Sequence, residues 1–176
     1  ADGALRLHAA LERQGHSPEF VVLYSSLSSV FGSPGQGNYV AANAFLDALA
    51  HHRRGQDLAA TSINWGAWLE VGMATRGNTS TRASAQGFTP LSPAQGIQAL
   101  DLVVRDHPTQ VAVAPIDWRL TAAQWGAALV PPLLADLVAE AKHRAYSSPG
   151  DAVALAPRVD FTRLDASERL MQLTAL

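Results

Sequence analysis

The chain has 176 residues, of which 48% are hydrophobic and 16% charged, a balance that builds one modest core rather than a disordered polymer. A formal net charge of −2 leaves no basic surplus to neutralise phosphates, and no apolar run reaches the ~20 residues of a membrane span, so no nucleic-acid partner and no span are expected. Without cysteine there are no disulfides, thiolate metal sites or cysteine nucleophiles, which is compatible with a cytoplasmic protein, and Asp2, Arg6, His8 and Glu12 are not the opening of a signal peptide.

Residues 1–14 are predicted to be a helix, with Leu5, His8, Ala9 and Leu11 near helical spacing and Gly15 as its stop. The apolar run 20–24 reads as a buried strand that ends in Ser25-Ser26. Gly32, Pro34, Gly35 and Gly37 make 27–37 a loop. Residues 38–54 are predicted helical on the stripe Ala41, Ala42, Phe45, Leu46, Leu49 and Ala50. His51, His52, Arg53 and Arg54 close that helix at its favourable C-terminal end, Arg53-Arg54 as a helix-end charge pair; His51, His52 and His107 are expected to be solvated, and no metal is expected.

A second strand is predicted over 59–64, and the polar stretch 65–92, with no clear period, reads as a lid or binding loop. Ser92-Pro93 opens a helix that runs to about residue 106. Residues 110–114 are a third strand, 131–143 a further helix, 147–157 a linker and 166–176 a last amphipathic segment. Strands alternating with helices predict a parallel α/β sheet. No G-x-G-x-x-G follows a strand, so the three strands and flanking helices read as the C-terminal part of a Rossmann-like doubly wound sheet, followed by a helical and linker tail. The expected organisation is a catalytic portion over 1–130 and a tail over 131–176.

Ser26 falls at the C-terminal end of a predicted strand, where open α/β sheets bind ligands. Thirteen residues later Tyr39 stands in the first turn of a helix, and Asn43 shares its face. A hydroxyl, a phenol and an amide can then converge on one carbonyl oxygen: the phenol donates a proton as hydride reaches carbon, and the serine orients the oxygen. Taken singly, each has a plainer reading: a strand-end turn serine, a half-buried packing tyrosine, a helix asparagine bonded to solvent.

The residues S-S at 25–26, G-Q-G-N-Y-V-A-A-N-A-F-L-D-A-L-A at 35–50 and W-G-A-W at 65–68 resemble the ketoreductase domain of modular type I polyketide synthases, within the short-chain dehydrogenase/reductase superfamily. The resemblance continues more weakly through 87–91 and 114–118 and covers about residues 1–120. It implies that Ser26 and Tyr39 are catalytic and that Asn43 belongs to the active site. It implies that Trp65 and Gly66 lie beside the nicotinamide of NADPH, and that Phe31, Trp68 and Met73 face the substrate, with 79–88 as part of a lid. Phe31 stands where ketoreductases of one stereochemical type carry Trp.

The superfamily pattern Y-x-x-x-K has Asn43 at its last position, and this branch carries its lysine upstream, before a stretch like Ala1-Asp2-Gly3-Ala4. The chain's one lysine is Lys142, so the catalytic lysine and the Gly-rich NADPH-binding half are expected in an N-terminal half of the ketoreductase. The implied activity is NADPH-dependent reduction of a β-ketoacyl thioester carried on the phosphopantetheine of an acyl carrier protein, with these residues alone inactive. The alternatives are a non-reducing ketoreductase-like module that docks the carrier, and a free-standing reductase, against which Asn43 and the linker argue.

Overall fold

The computed structural model describes residues 1–69, 87–125, 130 and 132–140. Two units emerge, one from Ala1–Gly66 and Pro93–Val113, the other from Ala67–Ser92 and Ala114–Leu176.

The first unit opens with helix α1 (Asp2–Gln14). Gly15 ends it in the left-handed region, φ 65°, and the His16 N–H closes back onto Leu11 O at 3.0 Å. Strand β1 (Val22–Ser26) follows, then a short helix α2 (Ser28–Phe31), the long helix α3 (Gly37–Arg54), strand β2 (Thr61–Trp65), helix α4 (Pro93–Asp106) and strand β3 (Gln110–Val113). The strands form one parallel sheet in the order β1-β2-β3, with Val22 opposite Thr61 and Ser62 opposite Gln110.

Pairing sets the strand limits. β1 starts two residues into the predicted apolar run because Val22 is the first residue with a register partner on β2, and Phe20 stays exposed. The helix α2 falls within the predicted loop; Ser26 Oγ accepts its Ser28 N–H at 3.2 Å, and Gly32 at φ 76° stops it.

α3 covers the sheet face that carries Leu23, Ser25, Ser62 and Asn64. Leu23, Leu49, Ala50 and Ala60 make an apolar cluster there, with Ala4 of α1 and Phe45 and Leu46 packed against it. The buried side of α3 is more polar than its apolar stripe predicts: Asn43, Asp47 and Arg53 are all buried on it. Arg53 is therefore no solvated helix-end cation. It is 2% exposed, donates to Ala59 O at 3.1 Å and reaches His8 Nδ1 at 2.9 Å. Burial lowers its pKa, and the Glu12 carboxylate pulls it back up. His51, His52 and His107 are exposed, as expected.

In the second unit Trp68 bridges Leu91 in parallel and Phe88 bridges Ile116 antiparallel. Gly87, at φ 89°, sits on the start of helix α5 (Trp118–Trp125), accepting the Asp117 N–H at 2.8 Å. The sequence reading assigned no element there, yet Asp117 Oδ1 caps α5 by accepting the Arg119 and Leu120 N–H groups, each at 3.0 Å. A 3-10 turn at Pro132–Leu134 runs into helical residues 135–140, matching part of the predicted helix 131–143. The predicted linker and last amphipathic segment lie outside the described residues. Among the described residues no helix is long and apolar enough to cross a membrane.

Candidate active site

The C-terminal edge of the sheet gathers four of the expected residues. Ser26 is the last residue of β1 and the register partner of Trp65, the last of β2; Phe31 ends α2 one turn beyond, its N–H bonded to Leu27 O at 3.0 Å. Gly66 follows β2 directly. Its N–H donates to Val113 O, and Trp65 O accepts from the Leu27 N–H, both at 2.9 Å, so these backbone groups are held within the sheet. The Trp65 ring is buried against Tyr24, 5.5 Å between centroids.

Ser26 Oγ accepts from the Ser28 N–H at 3.2 Å and lies 3.0 Å from Ser28 Oγ. A serine hydroxyl has two lone pairs and one hydrogen. The Ser28 N–H fixes one lone pair, while the contact between the two hydroxyls can run either way, so Ser26 can turn its hydrogen to a carbonyl or oxyanion when Ser28 is the donor of that pair.

Tyr39 stands in the first turn of α3, 36% exposed, its backbone N–H capped by Asn38 Oδ1 at 2.9 Å. Asn43 is buried and folds onto its own helix, Nδ2 donating to Tyr39 O at 2.9 Å; its plainer reading as a solvent-bonded residue does not hold. The Ser26 and Tyr39 hydroxyls are not hydrogen-bonded to each other. Trp68 belongs to the second unit, and Met73 lies outside the described residues.

Beneath this edge runs a polar cluster that the motif reading passed over. Asp47 is 8% exposed. Its Oδ1 accepts from Ser62 Oγ at 2.6 Å, its Oδ2 from Ser29 Oγ at 2.6 Å, and Asn64 Nδ2 lies 2.9 Å from both. Asn64 Nδ2 also reaches Ser29 Oγ at 2.8 Å and Ser25 Oγ at 3.1 Å, and Ser25 Oγ donates to Asn43 O at 3.2 Å. Gln110 Nε2 donates to Asn64 Oδ1 at 3.0 Å, fixing which way that amide points. The cue lay in Thr61–Trp65, where Ser62 and Asn64 alternate as polar residues in a strand buried throughout.

Comparison with known proteins bears on the family and the fold. The KR domain family matches residues 1–70. The phenolphthiocerol synthesis polyketide synthase type I of Mycobacterium bovis is 39% identical over 99% of this chain, and the erythronolide synthase of Saccharopolyspora erythraea is 44% identical over 70% of it. The chain spans only 8% and 4% of those two relatives. A solved A-type ketoreductase from a modular polyketide synthase superposes with a TM-score of 0.71 at 38% identity, over 79% of this chain and 29% of that one.

Proposed function

Because this chain belongs to the ketoreductase domains of modular polyketide synthases, we propose that it carries the proton-donating side of a site that reduces a carrier-bound β-ketoacyl thioester to the β-hydroxyacyl thioester. One observation carries the reading: Ser26, the last residue of β1, stands at the C-terminal edge of a parallel sheet with one lone pair held by the Ser28 N–H, and the exposed Tyr39 stands in the first turn of the long helix that follows. NADPH, when bound, supplies the hydride. Ser26 donates a hydrogen bond to the ketone oxygen and orients it; Tyr39 gives that oxygen its phenolic proton as charge builds there. Asn43 holds Tyr39 O and so fixes the first turn of α3.

The residues present fit the nicotinamide end of NADPH and not its phosphates. Trp65 and Gly66 would line the nicotinamide by their place at the sheet edge. Among the described residues no strand is followed by a G-x-G-x-x-G turn that could cradle a pyrophosphate, so that part of the site and the lysine that returns a proton to Tyr39 are assigned to an N-terminal half of the ketoreductase. β1, one of the two edge strands and the one with exposed Phe20 and Tyr24 beside it, is the strand through which that half would join the sheet. Phe31, Trp68 and Met73 are proposed to face the acyl chain, residues 131–176 to lead towards the acyl carrier protein, and the whole assembly to work in the cytoplasm.

The test is Tyr39→Phe in the complete ketoreductase. Turnover of a β-ketoacyl thioester should fall roughly 10²- to 10⁴-fold, with NADPH affinity, followed by fluorescence titration, nearly unchanged. Near-normal turnover would refute the phenol as proton donor and leave a carrier-docking module as the better reading.

A further inference from the structure

The buried carboxylate of Asp47 is a poor choice if the helix needed only to pack. It takes a charge out of water, where a leucine would cover the same sheet face without that penalty. What the charge adds is direction. Three donors, Ser29 Oγ, Ser62 Oγ and Asn64 Nδ2, converge on it from α2 and β2, the two hydroxyls at 2.6 Å, the short range of charge-assisted bonds.

The same donors also touch the reacting strand. Ser29 Oγ lies 2.8 Å from Ser26 O, so its one hydrogen is shared between that carbonyl and Asp47 Oδ2, and Asn64 Nδ2 lies 3.4 Å from Ser26 O. Through Ser25, Asn64 is linked as well to Asn43 O. Asn43, in turn, holds Tyr39 O. One carboxylate thus sits at the junction of two chains of contacts, one to the backbone of Ser26 and one to the helix turn of Tyr39. Tyr39, Asn43 and Asp47 follow at four-residue steps along one side of α3.

We propose that Asp47 is a positioning residue that, through Ser29 and Asn64, sets the separation between the strand end bearing Ser26 and the helix turn bearing Tyr39. The inference rests on Ser26 and Tyr39 being the reacting pair. A donor misplaced by an ångström loses much of its rate contribution while cofactor binding elsewhere is untouched.

The experiment uses the complete ketoreductase with NADPH and a short β-ketoacyl thioester. Asp47→Asn keeps the size and turns two hydrogens towards donors; kcat should fall roughly 10- to 100-fold, with the KM for NADPH unchanged. Adding Ser26→Ala to Asp47→Asn should cost little more than Ser26→Ala alone, because the lost positioning no longer has a hydroxyl to act on. Wild-type kcat in Asp47→Asn, or losses that multiply in the double variant, would overturn the proposal.

Should Asp47→Asn not fold, Ser29→Ala takes its place in the same cycle. Ser29→Thr, which keeps the hydroxyl, should then restore turnover, whereas a packing role would tolerate alanine better than the added methyl. Ser26→Ala and Tyr39→Phe run alongside. If those two keep their activity, the catalytic reading itself falls. If they lose activity while Asp47→Asn and Ser29→Ala keep theirs, only the positioning role falls.

Discussion

At the scale of single residues, the two hydrogen bonds at Ser26 Oγ decide what that hydroxyl can do. The Ser28 N–H takes one lone pair of Ser26, and the Ser28 hydroxyl can either donate to it or accept from it, so the orientation of Ser28 decides whether the Ser26 hydrogen faces a substrate. Gly87 shows the same dependence on a single atom in the second unit. Its φ of 89° is the region a side chain disfavours, and a Cβ there would stand 2.4 Å from Thr121 Oγ1 and 2.7 Å from Asp117 O. The second clash is with backbone at the capped start of α5, which cannot swing aside. Gly87→Ala in the complete ketoreductase should therefore cost about 1–3 kcal/mol. Urea denaturation measures it, and an unchanged midpoint would show that the turn relaxes freely.

At the scale of elements, α1 is pinned to α3 by one buried guanidinium. Arg53 spans His8 on α1 and Ala59 O ahead of β2, so its removal strands two acceptors at once. Arg53→Met should destabilise the complete protein by about 2–3 kcal/mol, read from chemical denaturation. Arg53→Lys should recover little, since a single ammonium cannot serve both acceptors in the fork geometry. Loss of less than a tenth of that would mean water replaces the guanidinium. The element order of the sheet was legible from the sequence, because β-rich runs and an apolar helical stripe report burial directly. Arg53 was not: in sequence it belongs to the helix-end run His51 to Arg54 that looks like dipole compensation, and only the fold shows that Arg53 is buried while Arg54 is half-buried against Ala60 O. Asp47 was hidden for the opposite reason, as one polar residue inside an apolar stripe. Ser26, Tyr39 and Asn43 could be picked out because the roles proposed for them ride on a local spacing. How near Ser26 and Tyr39 come to one oxygen depends on the turn between β1 and α3, and no spacing encodes that.

At the scale of the molecule, the described sheet has two edge strands, β1 and β3, and Phe20 and Tyr24 are exposed at the β1 edge. Parallel strands rarely stand with an open flank. Residues 1–176 expressed alone should associate through that edge and show no NADPH-dependent rise in melting temperature at micromolar cofactor. A monomer that melts cooperatively and binds NADPH would show that no further strand is needed. Over longer times, sequence drift must treat the circuit around Asp47 as one inherited character. An apolar replacement of the carboxylate alone would leave the Ser29 and Ser62 hydroxyls and the Asn64 amide facing a side chain that accepts nothing. Lineages that abandon it should have changed those partners in the same step, so that these four positions are either all polar or rewritten together, even where the surface around them has diverged freely.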